Sequence, residues 1–301
     1  MVKNHDGCYT VAGYLAELFD SEKRILELKA NNRVEFLQWK SKAKKKLKEL
    51  IGYYCFKRCN PSPKINETVE CDGFTRIHME IYTEPSIRMP FYVLKPKDER
   101  QRYPVVMALH GHVSGGKYAV VGRYDIPELV EWIKLCNYDY GVQFVKQGFL
   151  VFCPDARGFG ERQEQWAKGN ITSPSCFWLN NMAIPLGMTV TGMWTWEVHR
   201  LIDYIKTRND VEKDTIACVG LSGGGLQTLW ASALDERIKC CVISGYMYGY
   251  KESLLEMCTN CSCNYVPNLY RYFDMGDIAA LIAPRAMLVE TGTKDALNGK
   301  S

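Results

Sequence analysis

Five residues, Gly220-Leu221-Ser222-Gly223-Gly224, have the types and spacing for acyl transfer. A serine hydroxyl becomes a useful nucleophile when a tight turn lifts it clear of the chain beside a base. Such a turn leaves no room for side chains two residues before and after the serine, where Gly220 and Gly224 stand. The backbone N–H that follows, on Gly223, then points at the oxygen that gains charge during attack. The flanks agree. Thr215 to Val219 is an apolar, β-branched run, and Leu226 to Leu234 has helical character. The stretch therefore predicts strand, sharp turn and helix, with Ser222 at the turn.

A second glycine-rich segment follows an apolar strand at Pro104–His110: Gly111-His112-Val113-Ser114-Gly115-Gly116-Lys117. It fits the G-x-x-x-x-G-K pattern of a phosphate-binding loop. Tyr118, however, stands where that loop needs a Ser or Thr to hold Mg²⁺. The competing expectation is a loop whose His112 N–H is the second oxyanion donor. A glycine-rich turn without chemistry is the third. Asp155 and Arg157 follow the strand Phe149–Pro154, at the end where open α/β sheets bind ligands. A structural pair holding the loop is the preferred reading for them. Cys258, Cys261 and Cys263 invite a zinc site, but three ligands are one short and no histidine lies nearby in sequence, so no metal or other cofactor is expected.

The elements that must position these residues follow from periodicity. Tyr9 to Gly52 reads as helical, with Gly52 as a stop. Glu67–Cys71 and Thr75–Thr83 alternate as a hairpin about Asp72-Gly73, and Met89–Leu94 is a further strand. Helices are expected at Tyr138–Gln147 and Trp194–Thr207, and strands at Ile238–Ser244 and Ala286–Glu290. Two aromatic-rich stretches without clear period, Gln163–Met193 and Gly245–Asp274, are candidate lids or pocket walls. The class is thus α/β: antiparallel strands, then strand–helix alternation. Residues 1–65 form a helical extension and 66–301 the core.

The balance of 38 basic and 34 acidic residues is too mild to argue for nucleic acid as a partner. No apolar run reaches the ~18 residues needed to span a bilayer, so no membrane partner is expected. No secretion signal is visible. Thirteen scattered cysteines then read as reduced thiols in a cytoplasmic compartment, with Cys153, Cys218, Cys240 and Cys241 in buried strands.

Six motifs occur in order: His110-Gly111, Pro154 to Gly160, Gly220 to Gly225, Cys263-Asn264-Tyr265-Val266-Pro267, Ile282-Ala283-Pro284-Arg285 and Gly292-Thr293-Lys294-Asp295. Together they resemble the dienelactone-hydrolase and acetyl-xylan-esterase-like branch of the α/β-hydrolase superfamily, from about Thr68 to Asp295. The resemblance implies a mostly parallel, eight-stranded sheet flanked by helices, and ester hydrolysis through an acyl-enzyme. It implies Ser222 as nucleophile, Gly223 and His112 as oxyanion donors, Asp295 as the acid, and a small-molecule ester as substrate. It leaves the oligomeric state open. The family order Ser, Asp, His puts the base beyond Asp295, where only Ala296 to Ser301 follow, whereas all five histidines precede Ser222. The expectation is a chain truncated before its last strand, closing helix and catalytic histidine, with impaired catalysis. A binding protein on a hydrolase fold, a substitute base at His112, and a prolyl-oligopeptidase-like peptidase are the alternatives.

Overall fold

The computed structural model describes Tyr9 and residues 11–21, 23–167, 169–258 and 260–295. Its centre is one eight-stranded sheet in the order β1-β2-β3-β5-β4-β6-β7-β8. The strands are β1 (Lys64–Glu70), β2 (Phe74–Glu84), β3 (Ile87–Pro96), β4 (Tyr103–Leu109), β5 (Leu150–Pro154), β6 (Val211–Leu221), β7 (Cys240–Ser244) and β8 (Ala286–Glu290). β1, β2 and β3 pair antiparallel, and β3 joins β5 antiparallel. The pairs β5–β4, β4–β6, β6–β7 and β7–β8 are parallel. Parallel strands need crossovers, and helices supply them on both faces. This is the α/β class expected from the sequence.

Alternation along the strands builds two cores. Val105, Met107 and Leu109 of β4 join one cluster with Leu150 and Phe152 of β5. Val106, Ala108, Val151 and Cys153 face the other. The first side is covered by α2 (Arg33–Leu50), α7 (Val190–Ile205), α8 (Gly223–Leu234) and α9 (Met275–Ala280). The second is covered by α3 (Lys117–Val120), α4 (Pro127–Cys136) and α5 (Tyr140–Lys146). The sheet is therefore buried on both faces at its centre, as continuous apolar strands require.

The N-terminal region departs from one helical stretch. α1 (Ala12–Ser21) ends early, and α2 starts only at Arg33. Between them Ile25 and Leu26 form a turn and donate backbone hydrogen bonds to the Arg271 and Tyr272 carbonyls, which ties the segment to a stretch distant in sequence. Asn32 caps α2 by accepting from the Glu35 N–H at 3.0 Å. Ala43, Leu47 and Ile51 at its buried side have no exposed surface. Each such Leu or Ile contributes roughly 1.5–3 kcal/mol of burial energy. The stretch from Gln163 also differs from a featureless insert, because it contains α6 (Cys176–Ala183), which buries Cys176, Asn180 and Ala183 on one side. Cys240 is exposed, unlike Cys153, Cys218 and Cys241. Among the described residues β8 forms a sheet edge, with Met287, Leu288 and Val289 exposed. No described helix is long and apolar enough to cross a membrane.

Candidate active site

β6 ends at Leu221, α8 begins at Gly223, and Ser222 alone makes the turn at φ +56° and ψ −116°. That left-handed conformation costs a side-chain-bearing residue about 1–3 kcal/mol and persists only where the surroundings enforce it. Here they do. The Ser222 N–H donates to the Ser244 carbonyl at 2.8 Å, and its own carbonyl accepts from Leu226 at 3.0 Å. A Cβ on Gly220 would lie 2.2 Å from the Gly224 carbonyl oxygen, and one on Gly224 would lie 1.9 Å from that of Leu109. Both neighbours are backbone and cannot swing aside. The glycines at these two positions are a steric condition of the turn.

The loop after β4 abuts this turn. A Cβ on Gly111 would come within 2.7 Å of the Leu221 carbonyl oxygen and 3.4 Å of Ser222 Cβ. A Cβ on Gly223 would meet His112 Nδ1 at 2.6 Å. Among the described residues, neither the His112 nor the Gly223 backbone N–H has a protein acceptor, and no hydrogen bond reaches Ser222 Oγ. Most other groups of the loop are tied down. The Gly111 N–H donates to Tyr138 Oη at 2.9 Å. The His110 carbonyl accepts from Gln227 at 3.0 Å, and its ring Nε2 accepts from the Ala156 N–H at 3.0 Å. Two unpaired N–H groups beside an exposed-side hydroxyl can receive a developing oxyanion.

Lys117 closes the loop in a way the phosphate-binding pattern does not anticipate. It is fully buried, and its ammonium lies 2.6 Å from the equally buried Asp155 carboxylate and also contacts Glu161. Asp155 accepts further from the Lys117 and Glu161 backbone N–H groups, at 2.7 and 3.1 Å. Burial works against the Lys117 charge, but Asp155 and Glu161 outweigh it and push its pKa up. This lysine is spent inside the protein. Arg157 pairs with Glu84 at 2.6 Å and with Glu197 at 2.9 Å, and Arg162 reaches Glu197 at 2.6 Å. Burial alone would raise the Glu197 carboxyl, yet Arg157 and Arg162 hold it at about 2. The charged residues after β5 thus hold the loops, but not as the expected Asp155–Arg157 pair: Asp155 pairs with Lys117, and Arg157 with Glu84 and Glu197.

A cleft of about 290 Å³ opens over the turn, lined by Ser222, Gly223, His112, Tyr138, Tyr246 and Cys261 among others. One wall comes from the stretch after β7 and another from Val113, Cys136 and Tyr138, whereas Trp166, Phe177 and Trp178 of the earlier insert face solvent. Asp295 lies beyond the end of β8, on the same side of the parallel strands as Ser222. It sits close enough to Tyr248 for its charge to help raise that hydroxyl's pKa, chiefly raised by burial. Tyr248 packs on the cleft residue Tyr246 at 5.1 Å.

The described histidines have other partners. His199 Nε2 donates to the Ala231 carbonyl at 3.1 Å, its Nδ1 accepts from Tyr53 Oη at 2.7 Å, and burial lowers its pKa to about 4. His78 faces Glu161 at 2.9 Å. His110 is buried under Phe159, which lowers its pKa. The His112 ring packs edge-on against both Phe159 and Trp194, with Nε2 3.3 Å from Cys263 Sγ. The cysteine stretch is not alone either: folding brings Cys176 to Cys261 at 3.4 Å and leaves Cys258 outside the group. His5 lies outside the described residues.

Sequence and fold comparisons place this chain among known proteins. The Bacillus subtilis (strain 168) protein YtaP, named as a hydrolase, is 31% identical over 212 residues, covering 70% of this chain and 66% of YtaP. The chain thus matches just under two thirds of that relative's length. A Bacteroides fragilis protein described as an acetyl xylan esterase superposes with a TM-score of 0.78 at 19% identity, over 96% of this chain and 77% of its own. A glucuronoyl esterase from Solibacter usitatus superposes at 0.60 with 15% identity, over 92% of this chain and 80% of its own. The fold is that of the acetyl-xylan-esterase-like α/β-hydrolases, and a family match over residues 5–298 makes the chain a member of the Abhydrolase family.

Proposed function

We propose that this chain is a serine hydrolase of small carboxylic esters, working through an acyl-enzyme on Ser222. The observation that carries the reading is the strained Ser222 flanked by the unpaired N–H groups of Gly223 and His112 at the wall of a small cleft. Ser222 Oγ attacks the ester carbonyl as its proton passes to a base, the two N–H groups hold the oxyanion, the alcohol leaves with that proton, and water then releases the acyl group as the carboxylic acid. Asp295, past the end of β8, is the carboxylate that would orient such a base. The esterase names of the structural neighbours support an ester as substrate, and the 290 Å³ cleft fits a small acyl group.

None of the described histidines is hydrogen-bonded to Ser222, so proton removal is the weak step and catalysis by this chain is impaired. A fluorophosphonate probe tests both parts. Labelling of Ser222 is slow, imidazole in the buffer accelerates it by standing in for the base, and Ser222→Ala abolishes it. Labelling that survives Ser222→Ala would remove the nucleophile assignment. No labelling even with imidazole would leave a binding protein on a hydrolase fold.

A further inference from the structure

Four side chains at and behind the cleft wall, of which His112 and Cys261 line it and Cys176 and Cys263 are buried, have no part in the ester chemistry of Ser222. Cys261 and Cys263 come from the stretch after β7, Cys176 from the first turn of α6, and His112 Nε2 from the loop after β4. Their ligand atoms all lie within 4.8 Å of one another. Cys176 Sγ is 3.4 Å from Cys261 Sγ, and His112 Nε2 is 3.3 Å from Cys263 Sγ. A tetrahedral zinc ion, with bonds of about 2.3 Å to sulfur and 2.0–2.1 Å to nitrogen, sets its ligand atoms roughly 3.5–3.8 Å apart. The observed separations bracket that range, so the four atoms enclose a point where a cation fits after shifts of about 1 Å or less.

We infer that His112, Cys176, Cys261 and Cys263 bind one zinc-class divalent cation in a closed Cys₃His site. Three thiolates and an imidazole are a soft donor set that selects zinc over calcium or magnesium. With all four positions taken by protein, the site is structural and activates no water. On binding, three thiols release their protons to solvent, the imidazole stays neutral, and no electron is transferred. The surroundings hold the ligands in place. Asn264 Nδ2 donates to Cys263 Sγ at 3.6 Å, and Thr191 Oγ1 donates to the Cys263 carbonyl at 2.6 Å. Asn180 donates to the Ser262 carbonyl at 2.7 Å and accepts from the Val190 N–H at 3.0 Å, clamping α6 to the cysteine stretch. Such supports fix ligand orientation around metals. The ion would tie three chain segments into one wall, and one of them carries the His112 N–H.

The test needs no knowledge of the substrate. The untagged full chain is expressed with zinc in the medium, purified under reducing conditions, and its metal content measured by mass spectrometry. About one equivalent of zinc per chain is expected. Cobalt(II) loaded in its place gives the strong visible bands of a tetrahedral site and thiolate charge-transfer absorption. Cys261→Ser and Cys263→Ser each cut retained zinc at least about tenfold, whereas Cys258→Ser retains it. If a cysteine variant fails to fold, the cobalt spectrum of the unaltered chain still decides. Absence of retained zinc and of cobalt bands overturns the inference. So does equal metal loss in Cys258→Ser, or a Cys176–Cys261 disulfide occupying the site in the purified protein.

Discussion

Lys117→Met tests the claim that the glycine-rich loop is tied down from inside. Lys117 and Asp155 have no exposed side-chain surface, and their charged atoms are 2.6 Å apart. At an effective dielectric constant of about 20, that separation corresponds to roughly 6 kcal/mol of attraction. Desolvation of the ammonium offsets several kcal/mol of it. Methionine fills the space but leaves the Asp155 charge held only by two backbone N–H groups. Removing one partner of a buried pair typically costs about 3–5 kcal/mol. At roughly 2 °C per kcal/mol for a chain of this size, the melting temperature falls by about 6–10 °C. Adding Asp155→Asn removes the stranded charge, and the double variant recovers at least half of the loss. Differential scanning calorimetry of the three proteins reads this directly. A single variant as stable as the parent, or a double variant no better than the single, would refute the buried-pair argument. So would ATP binding that Lys117→Met abolishes, because a lysine spent on Asp155 cannot also grip a phosphate.

Two further outcomes follow from the same geometry. Gly224→Ala puts a Cβ 1.9 Å from the Leu109 carbonyl oxygen. The overpacking outweighs the up to ~1 kcal/mol that alanine gains in a helix, for a net loss of about 2 kcal/mol or more; an unchanged urea midpoint would contradict it. Acidification destabilises the fold in two windows. His199, lowered to about 4 by burial, is neutral in the fold but protonates on unfolding, so stability falls from pH ~6.5 down to about 4. Glu197, held at about 2 by its arginines against burial, loses its contribution as the pH falls from ~4.5 to about 2. Urea unfolding at stepped pH measures both, and a flat profile from pH 7 to 4 would rule the first out.

What the sequence disclosed was local. The elbow is legible because its constraint acts within five residues: Gly220 and Gly224 collide with backbone if given side chains. The strand Ala286–Glu290 and the hairpin about Asp72-Gly73 are likewise set by runs and turn residues that lie together. α4 goes beyond the sequence expectations, although Pro127 stands at its first turn and Leu129, Trp132 and Ile133 follow at helical spacing. The break between α1 and α2 has no such local signal, because Ile25 and Leu26 are held by residues 271 and 272. Lys117 carries a phosphate-loop spacing, and only its contact with Asp155, 38 positions on, shows that the amine is buried. The cysteine group fails the spacing test for the same reason. Cys261 lies 85 positions from Cys176, and Cys263 lies 151 from His112.

These long-range ties bear on how a strained turn is used. Oxyanion donors contribute only if they stand still to within about 0.5 Å while charge develops. On the proposed reading, Gly223 is fixed by α8 and by the Ser222 hydrogen bond to Ser244. His112 has no such helix. Its loop is anchored on one side by His110, buried against Ala156 and Gln227, and on the other by the Lys117–Asp155 pair. Between those anchors, among the described residues, the His112 ring's polar partners are the thiols of Cys263 and Cys261. Thiol and imidazole form a weak bond in that geometry, too weak to hold a backbone N–H still. A cation bridging His112 to three cysteines would supply the stiffness that the loop's own hydrogen bonds lack at its midpoint. The cysteine group and the serine turn are then parts of one device, with the metal positioning a donor and taking no part in the bond-breaking.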